Sequence, residues 1–470
     1  MESIPQIVDR LVESMEDFSS WEDEVHELSL ETTQELAAML LKAIDDVLME
    51  DREEGLSVVG KRKLTILTMF GSLTIERRLY RDGEGNYRFL LDEAIGLPSG
   101  SRFSARLSEM ALELSSRTPF RFAAKVISRF IKEKISHMTL HNMVSSCGDD
   151  KNEEEEQKRI ALFQDGERPP SENREADRLM VEADGVGIAL QREKKKRAEI
   201  KLAVAYEGWE PAGKDKFRTL GKTVHSGLCP GEEFWQDFSV TLASKYRLSG
   251  VRELILGGDG APWITSGGSL FPFETFQLDR FHLARALRTA LGPDNEKVRA
   301  AYRSACEGDA DKVYEMLEEA EASSEGKEKD RIRKVRTYIE NNRAGLADWR
   351  QGRETDEKAR GMGTIETNGD KILANRVKKR GMSWTVKGAD RMAKVIQLRS
   401  NDDLTDWVKS YGGGQAQQEL LKPAVTKVRK RVKKDPEEWI AAHIPSLEGP
   451  HSDRYWVSIL RELSHLPKVV

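Results

Sequence analysis

The chain has 470 residues, 38% hydrophobic and 33% charged, with a mean hydropathy of -0.58 and a formal net charge of -5. That is too long for one ordinary core, and the composition is that of a globular protein with a heavily charged surface. No apolar run approaches the ~18–20 residues of a membrane span, and the three scattered cysteines, Cys147, Cys229 and Cys306, exclude a disulfide framework or a Cys-based zinc cluster. Met1–Pro5 lacks a basic segment followed by an apolar core, so a cytoplasmic protein is expected. The net charge hides an asymmetry. Residues 1–56 hold 17 acids and 3 bases, whereas residues 366–434 hold 17 bases and 7 acids. An acidic head and a basic tail point to nucleic acid as a partner of the tail, with a solvated helical surface as the bland alternative.

Residues 1–56 are predicted helical, with Leu36, Met39, Leu40, Ile44, Val47 and Leu48 at helical spacing. A small antiparallel meander follows: Lys63–Phe70 and Leu73–Tyr80 around a Gly71-Ser72 turn, then Tyr87–Leu91. Its arginines, Arg77, Arg78, Arg81 and Arg88, either meet phosphate or are simply solvated. Helices are predicted over Ala105–Arg117, Pro119–Ile131 and His137–Ser146, the last N-capped by Ser136. The second and third resemble a helix-turn-helix, which makes Arg121, Lys125, Arg129, His137, Thr139, His141 and Asn142 candidate DNA contacts. Asp149–Arg159 reads as a charged linker helix, closed by Pro169 and Pro170.

The central block changes character. Strands are predicted at Leu179–Leu190, Ala198–Tyr206 and Phe217–His225. A helix over Gly231–Tyr246 follows, then strands at Leu254–Leu256 and Thr275–Leu278. Three antiparallel strands that lead through a crossover helix into a parallel extension are the element order of a ribonuclease-H-like fold. Residues 281–350 are helical by pattern. A helix over 364–380 ends at Gly381. The tail 402–470 is mainly helical, with Gly412–Gly414 as a hinge and Pro436 and Pro445 as stops. The expected architecture is therefore multidomain α/β with helical domains, its ribonuclease-H-like core interrupted by an all-α insertion. The expected segments are 1–100, 101–148, 149–175, a core of 176–282 with 361–400, the insertion 283–360, and the basic tail 401–470.

Three acids stand out in this order. Asp184 lies in the middle of the first core strand, Asp259 just past the fourth, and Glu366 near the start of the helix after the insertion. A carboxylate in an apolar strand is costly unless paired or metal-bound. Brought to one sheet edge, three carboxylates can hold two Mg2+ ions, with Mn2+ able to substitute, for phosphodiester chemistry. Asp279 and His282, three apart at a helix start, either support that site or contact DNA, with an N-cap and a packed histidine as the bland alternative. His225, His443 and His451 show no metal-ligand spacing. The aromatic run Phe234-Trp235-Phe238 reads as core, and Trp263 and Trp384 read as packing residues or base-stacking platforms. Glu182 shares the face of Asp184 by period-two geometry but lies outside the triad, so its replacement by Gln is expected to cost less.

The phrases Tyr80-Arg81-Asp82, Phe89–Glu93, Val181–Val186, Glu207–Glu210, Gly258–Ala261, Leu278–His282, Gly363–Glu366 and Arg376–Trp384 together resemble bacterial DDE-type insertion-sequence transposases of the ISLre type. That group has long been carried as an uncharacterised protein family. Asp279 and His282 are also similar to the acid-or-Cys-x-x-His motif of Mutator-like transposases. The resemblance implies catalytic and metal-binding roles for Asp184, Asp259 and Glu366. It also implies double-stranded DNA partners, both terminal inverted repeats and target DNA, and a homo-oligomer on that DNA. Gly187 and Gly369 stand where the family usually carries larger residues. Phosphate contacts are expected from Arg376, Lys378, Lys379, Arg380, Arg429, Lys430, Arg431, Lys433 and Lys434. The competing readings are a catalytically decayed or domesticated DNA-binding protein and a structure-specific nuclease.

Overall fold

The structure is a computed structural model that describes residues 4–97, 102–214, 216–273, 275–292, 294–355, 358–379, 381–411 and 416–434. Its described residues fall into two compact units, one within 1–111, 120–140 and 405–470, the other within 112–119 and 141–404. The first opens with α1 (Ile4–Glu13) and α2 (Phe18–Glu50). Of the apolar positions expected along α2, Ile44, Val47 and Leu48 are buried, whereas Leu36 and Leu40 face solvent. The meander consists of β1 (Ser57–Thr68), β2 (Gly71–Arg81) and the two-residue β3 (Tyr87–Arg88). Its turn falls earlier than expected: Thr68 pairs with Gly71, so Met69 and Phe70 form the loop and Gly71, at φ 93°, opens β2. The predicted third strand stops at Arg88 because α3 (Leu90–Ile95) buries Leu90, Leu91 and Ala94 instead. Arg77 pairs with Asp92, Arg78 with Asp45 and Asp46, and Arg88 with Glu93. Three of the four meander arginines are therefore engaged by the protein's own acids.

Next, α4 (Ala105–Arg117) has its expected bounds, and α5 (Phe120–Ile131) starts just after Pro119. Then α6 (His137–Phe163) begins as predicted, with Ser136 Oγ accepting from Thr139 N at 3.0 Å. It does not stop at Ser146. The charged run continues the same helix, held by the pairs Lys151–Glu154 and Lys158–Glu154 at helical spacing.

In the second unit, β4 (Arg178–Leu190), β5 (Arg197–Tyr206), β6 (Gly208–Gly213), β7 (Lys216–Leu220) and β8 (Thr223–Gly227) come first. The predicted strand over 217–225 is two strands. Gly221 turns the chain at φ 64°, so β7 pairs with β6 as a separate hairpin and β8 joins the sheet. After α7 (Gly231–Lys245) come β9 (Glu253–Gly258), the short α8 (Pro262–Thr265) and β10 (Thr275–Leu278). The sheet order is β10-β9-β4-β5-β8, with β4, β5 and β8 antiparallel and β9 and β10 parallel to β4. One face, carrying Leu179, Val181 and Ala183, packs on Phe234, Trp235 and Phe238 of α7, so the aromatic run is core.

Four helices follow: α9 (Arg280–Leu291), α10 (Asn295–Cys306), α11 (Ala310–Ala322) and α12 (Gly326–Asn341). They share a core around Leu283, Leu287, Val313, Leu317 and Ile339. The helix predicted over 364–380 is α13 (Ile365–Asn368), a π-helical turn over Gly369–Ala374, and α14 (Asn375–Val377). A π turn is rare and frequent at functional sites. Then β11 (Ser383–Trp384) adds to β4 in parallel, and α15 (Val386–Ser400) lies along α6. The two helices approach closely at Gly148, where a Cβ would come within 2.5 Å of the Arg391 backbone.

The chain ends its described course in the first unit with α16 (Leu404–Tyr411) and α17 (Gln418–Lys434). Ala424 and Val428 of α17 join the core of α2 and the meander, while Lys427 pairs with Asp51 and Arg431 with Glu50. Acidic head and basic tail thus meet within one unit. The Gly412–Gly414 hinge, the Pro436 and Pro445 stops, His443 and His451 lie outside the described residues.

Between α6 and α15, the buried Lys394 ammonium meets Glu155 and donates to Ser226 O at 2.8 Å, while Gln397 Nε2 donates to Glu155 at 2.7 Å. Removing one partner of a buried pair leaves an uncompensated charge. Lys394→Met is expected to destabilise the protein by about 3–5 kcal/mol. The double variant Lys394→Met with Glu155→Met should regain most of that loss. Urea unfolding midpoints of the two variants check this; equal losses in both would contradict it.

Candidate active site

The register of the sheet brings the first two acids together. Glu182 pairs with Gly257 and Ala183 with Gly258 along the parallel β4–β9 ladder, so Asp184, in mid-β4, comes next in the same register as Asp259, the first residue past β9. Asp259 is held in a turn. Its Oδ1 accepts from Ala261 N and its carbonyl from Tyr338 OH of α12, both at 2.8 Å. Gly260 sits there at φ 83°, where a Cβ would run into Asn342. Glu366, in the first turn of α13, lies on the β4 face that carries Asp184. Its Oε1 is 3.7 Å from His282 Nδ1.

The electrostatics report the crowding. Burial, the largest influence, pushes the half-buried Asp184 carboxyl up to about 6, and the charges of Asp259 and Glu366 push the same way. A hydrogen bond from Gly185 N at 2.7 Å and the His282 charge pull against them. Asp279 caps α9 by accepting from His282 N at 2.9 Å, and its Oδ1 also takes His282 Nδ1 at 3.0 Å. One carboxylate is thus both the N-cap of α9 and the partner of the His282 ring. That hydrogen bond, with the charges of Asp279, Asp184 and Asp259, raises the His282 imidazole above its ordinary value although burial opposes it. Ligand atoms of Asp279, His282 and Glu366 lie within 4.8 Å of one another. Among the described residues no Lys or Arg ion pair reaches Asp184, Asp259 or Glu366. A set of carboxylate oxygens with His282 as its one cationic partner and no Lys or Arg among the described residues suits a hard divalent ion.

A second group, Glu155, His225 and Asp237, also has ligand atoms within 4.8 Å, although no sequence spacing announces it. Its cations are built in: Lys394 on Glu155, and Arg159 Nη1 on both Asp237 oxygens at 2.7 and 2.8 Å. Burial lowers His225 to about 3 and raises the neighbouring Cys229 thiol to about 12. This cluster is a structural ion-pair network.

Sequence reasoning missed Glu182. It is 1% exposed and accepts from Gly363 N, Thr364 N, Thr364 Oγ1, Ile365 N and Tyr206 OH. It is therefore no bystander: its carboxylate ties β4 to the loop before Glu366. Like Asp184, Glu182 is a charge in an apolar strand, which is the signal that could have found it.

The proposed DNA contacts divide. Arg121, Lys125 and Arg129 are exposed along α5, interleaved with exposed Phe122, Val126 and Phe130. At the start of α6, His137 and Asn142 are exposed, Thr139 and His141 half-buried. Arg376 is not a surface contact. It is buried, donates to Ser115 O at 2.6 Å and stacks 4.9 Å from the Trp384 ring. Lys379 pairs with Asp370, Lys378 is exposed, and Arg380 lies outside the described residues. In α17, Arg429, Lys430, Lys433 and Lys434 are exposed, while Arg431 pairs with Glu50. Trp384 Nε1 donates to Val377 O and Trp263 Nε1 to Glu199, so both rings are tied into the fold. No described helix is long and apolar enough to cross a membrane.

A family profile described as Uncharacterised protein family (UPF0236) matches residues 11–410. Among similar proteins, UPF0236 protein TTE2489 of Caldanaerobacter subterraneus subsp. tengcongensis is 24% identical, over 88% of this chain and 86% of its own. A second from that organism, whose name joins eleven loci from TTE0033 to TTE2212, is 25% identical over 88% of this chain and 85% of its own. The UPF0236 protein in vanSb 3'region of Streptococcus gallolyticus is 24% identical over 84% of this chain and 85% of its own.

A raised Asp184 binds its proton more tightly folded than unfolded. Its ionised form therefore lowers stability as pH climbs from about 4, the unfolded value, through about 6. In EDTA, Asp184→Asn is expected to be more stable than the wild type by roughly 1–3 kcal/mol at pH 7.5, the gap closing below pH 4. Thermal melts across that range check it; a gap independent of pH would contradict the crowded-carboxylate description.

Proposed function

The chain belongs to the uncharacterised protein family UPF0236, and we propose that it is a DDE transposase, cleaving element-end DNA and joining the 3′ ends to target DNA. We read the β10-β9-β4-β5-β8 sheet as a ribonuclease-H-like core and α9–α12 as its helical insertion. The observation that carries the reading is that Asp184 lies within the electrostatic reach of Asp259 and Glu366, from three separated stretches of chain, with no Lys or Arg ion pair on any of the three among the described residues. A relative's name that joins eleven loci of one genome adds support, since repeated copies are what a mobile gene leaves.

In this reading Asp184, Asp259 and Glu366 hold two Mg2+ ions, for which Mn2+ can substitute. Such ions supply activation of a water or 3′-hydroxyl and stabilisation of the leaving oxygen. Asp184 and Asp259 are oriented by main-chain N–H groups at Gly185 and Ala261, so their oxygens need little rearrangement. Asp279 orients His282 toward Glu366. The exposed bases of α5, the start of α6, and α17 are the proposed surfaces for terminal repeats and target DNA, on which the protein acts as a homo-oligomer in the bacterial cytoplasm.

Asp184→Asn, Asp259→Asn and Glu366→Gln should each bind the terminal-repeat duplex yet lose Mg2+-dependent nicking by several orders of magnitude. Gel shifts and nicking assays on duplexes taken from the DNA flanking the gene measure both; a triad variant that cleaves at near wild-type rate refutes the assignment. Replacing Arg429, Lys430, Lys433 and Lys434 with Gln should weaken binding to all sequences alike. The slope of log affinity against log salt should become shallower by roughly 0.9 per lost phosphate contact, and an unchanged slope would remove α17 from the interface.

A further inference from the structure

The most heavily hydrogen-bonded carboxylate on the active face of β4 lies outside the triad. Glu182 Oε1 accepts from Thr364 N at 3.1 Å, Thr364 Oγ1 at 2.9 Å and Tyr206 OH; Oε2 accepts from Gly363 N at 3.1 Å and Ile365 N at 3.0 Å. Three of the five donors are backbone N–H groups, which can only donate. They belong to the three consecutive residues that precede Glu366. Burial, and then the adjoining Glu182, hold the Tyr206 phenol well above its ordinary value, so it stays a donor.

The segment these bonds secure is irregular: Trp209 N donates to Lys358 O, and Met362 packs on Gly257, but Glu182 takes the N–H groups next to Glu366. Residues 358–364 contain no regular element, and α13 is only four residues long before the π turn begins. Thr364, its N-cap, makes no cap within its own helix because its hydroxyl is bonded to Glu182. Glu182 supplies from another element what a capping side chain normally supplies to orphan N–H groups. The space for it is kept open. Gly257 is its ladder partner, and a Cβ there would lie 3.3 Å from Glu182 Cγ and 2.8 Å from Met362 Cε. An apolar joint would hold a strand to a loop without burying a carboxylate. What the carboxylate adds is direction, since five donors converge on two oxygens.

We propose that Glu182 is the positioning residue of the carboxylate site: it clamps Gly363–Ile365 to β4 and so sets where Glu366 stands relative to Asp184, two residues along the same strand. The inference rests on the reading of that trio as a metal site. An amide cannot replace the clamp, because one oxygen becomes an NH2 that faces N–H donors.

The test uses the full chain, with Mn2+ alone as calorimetric probe and terminal-repeat DNA for nicking, on Glu182→Gln, Thr364→Val and Asp184→Asn. Glu182→Gln should bind Mn2+ about 10–100-fold more weakly, and its nicking should recover as Mn2+ is raised, because all three ligands remain. Thr364→Val, which loses one of the five bonds, should fall between it and the wild type while melting close to the wild type; it decides the matter if Glu182→Gln does not fold. Asp184→Asn should not recover at any Mn2+ concentration. Wild-type Mn2+ affinity in Glu182→Gln or, failing that, in Thr364→Val, alongside a loss in Asp184→Asn, overturns the clamp and leaves the metal site standing. Wild-type affinity in Asp184→Asn overturns the metal site itself, and the clamp with it.

Discussion

A carboxylate removed from water must be given something in return, and β4 answers that demand in two opposite ways within three residues. Glu182 is wrapped in five hydrogen-bond donors and sealed. Asp184, on the same face, keeps one side open, receives a single main-chain N–H and is crowded by Asp259 and Glu366. The first arrangement satisfies a charge; the second leaves it unmet. Burial of the one secures the unmet state of the other, because the loop that Glu182 grips is the loop that delivers Glu366.

The same contrast separates the two acidic clusters of the second unit. Around Glu155 and Asp237 the counter-charges are covalent parts of the chain, Lys394 and Arg159, and the result is a cross-brace between α6, α7 and α15. Around Asp184, Asp259 and Glu366 the one cationic partner among the described residues is His282, whose ring is itself held by Asp279. A side chain that holds a permanent cation next to its carboxylates has no need of a metal. The triad lacks one, which is why the catalytic reading attaches to it.

Much of this was legible in the sequence because it depends on strand order. Apolar runs around Asp184 and before Asp259 marked β4 and β9, and a parallel β4–β9 pair puts mid-β4 beside the end of β9 whatever the loops do. The bounds of α4 and β10 followed from local pattern alone. What escaped was decided by tertiary partners. The split of β7 from β8 hangs on one left-handed glycine, Gly221, inside a run of good strand formers. The continuation of α6 past Ser146 depends on packing against α15 at Gly148 and on pairs such as Asp149–Arg391. Arg376 reads as one more base in a basic stretch, yet its partner, the carbonyl of Ser115, lies 261 residues away. Glu182 was visible as a charge in an apolar strand, but nothing in its neighbourhood names the loop it holds 181 residues later.

The central claim, that Asp184, Asp259 and Glu366 form one divalent-metal site, is tested most directly by anomalous diffraction from crystals of the protein soaked in Mn2+. The account predicts manganese peaks bounded by oxygens of all three carboxylates, absent from the Glu155–Asp237 cluster. Manganese elsewhere, or carboxylates that remain metal-free at saturating Mn2+, would contradict it.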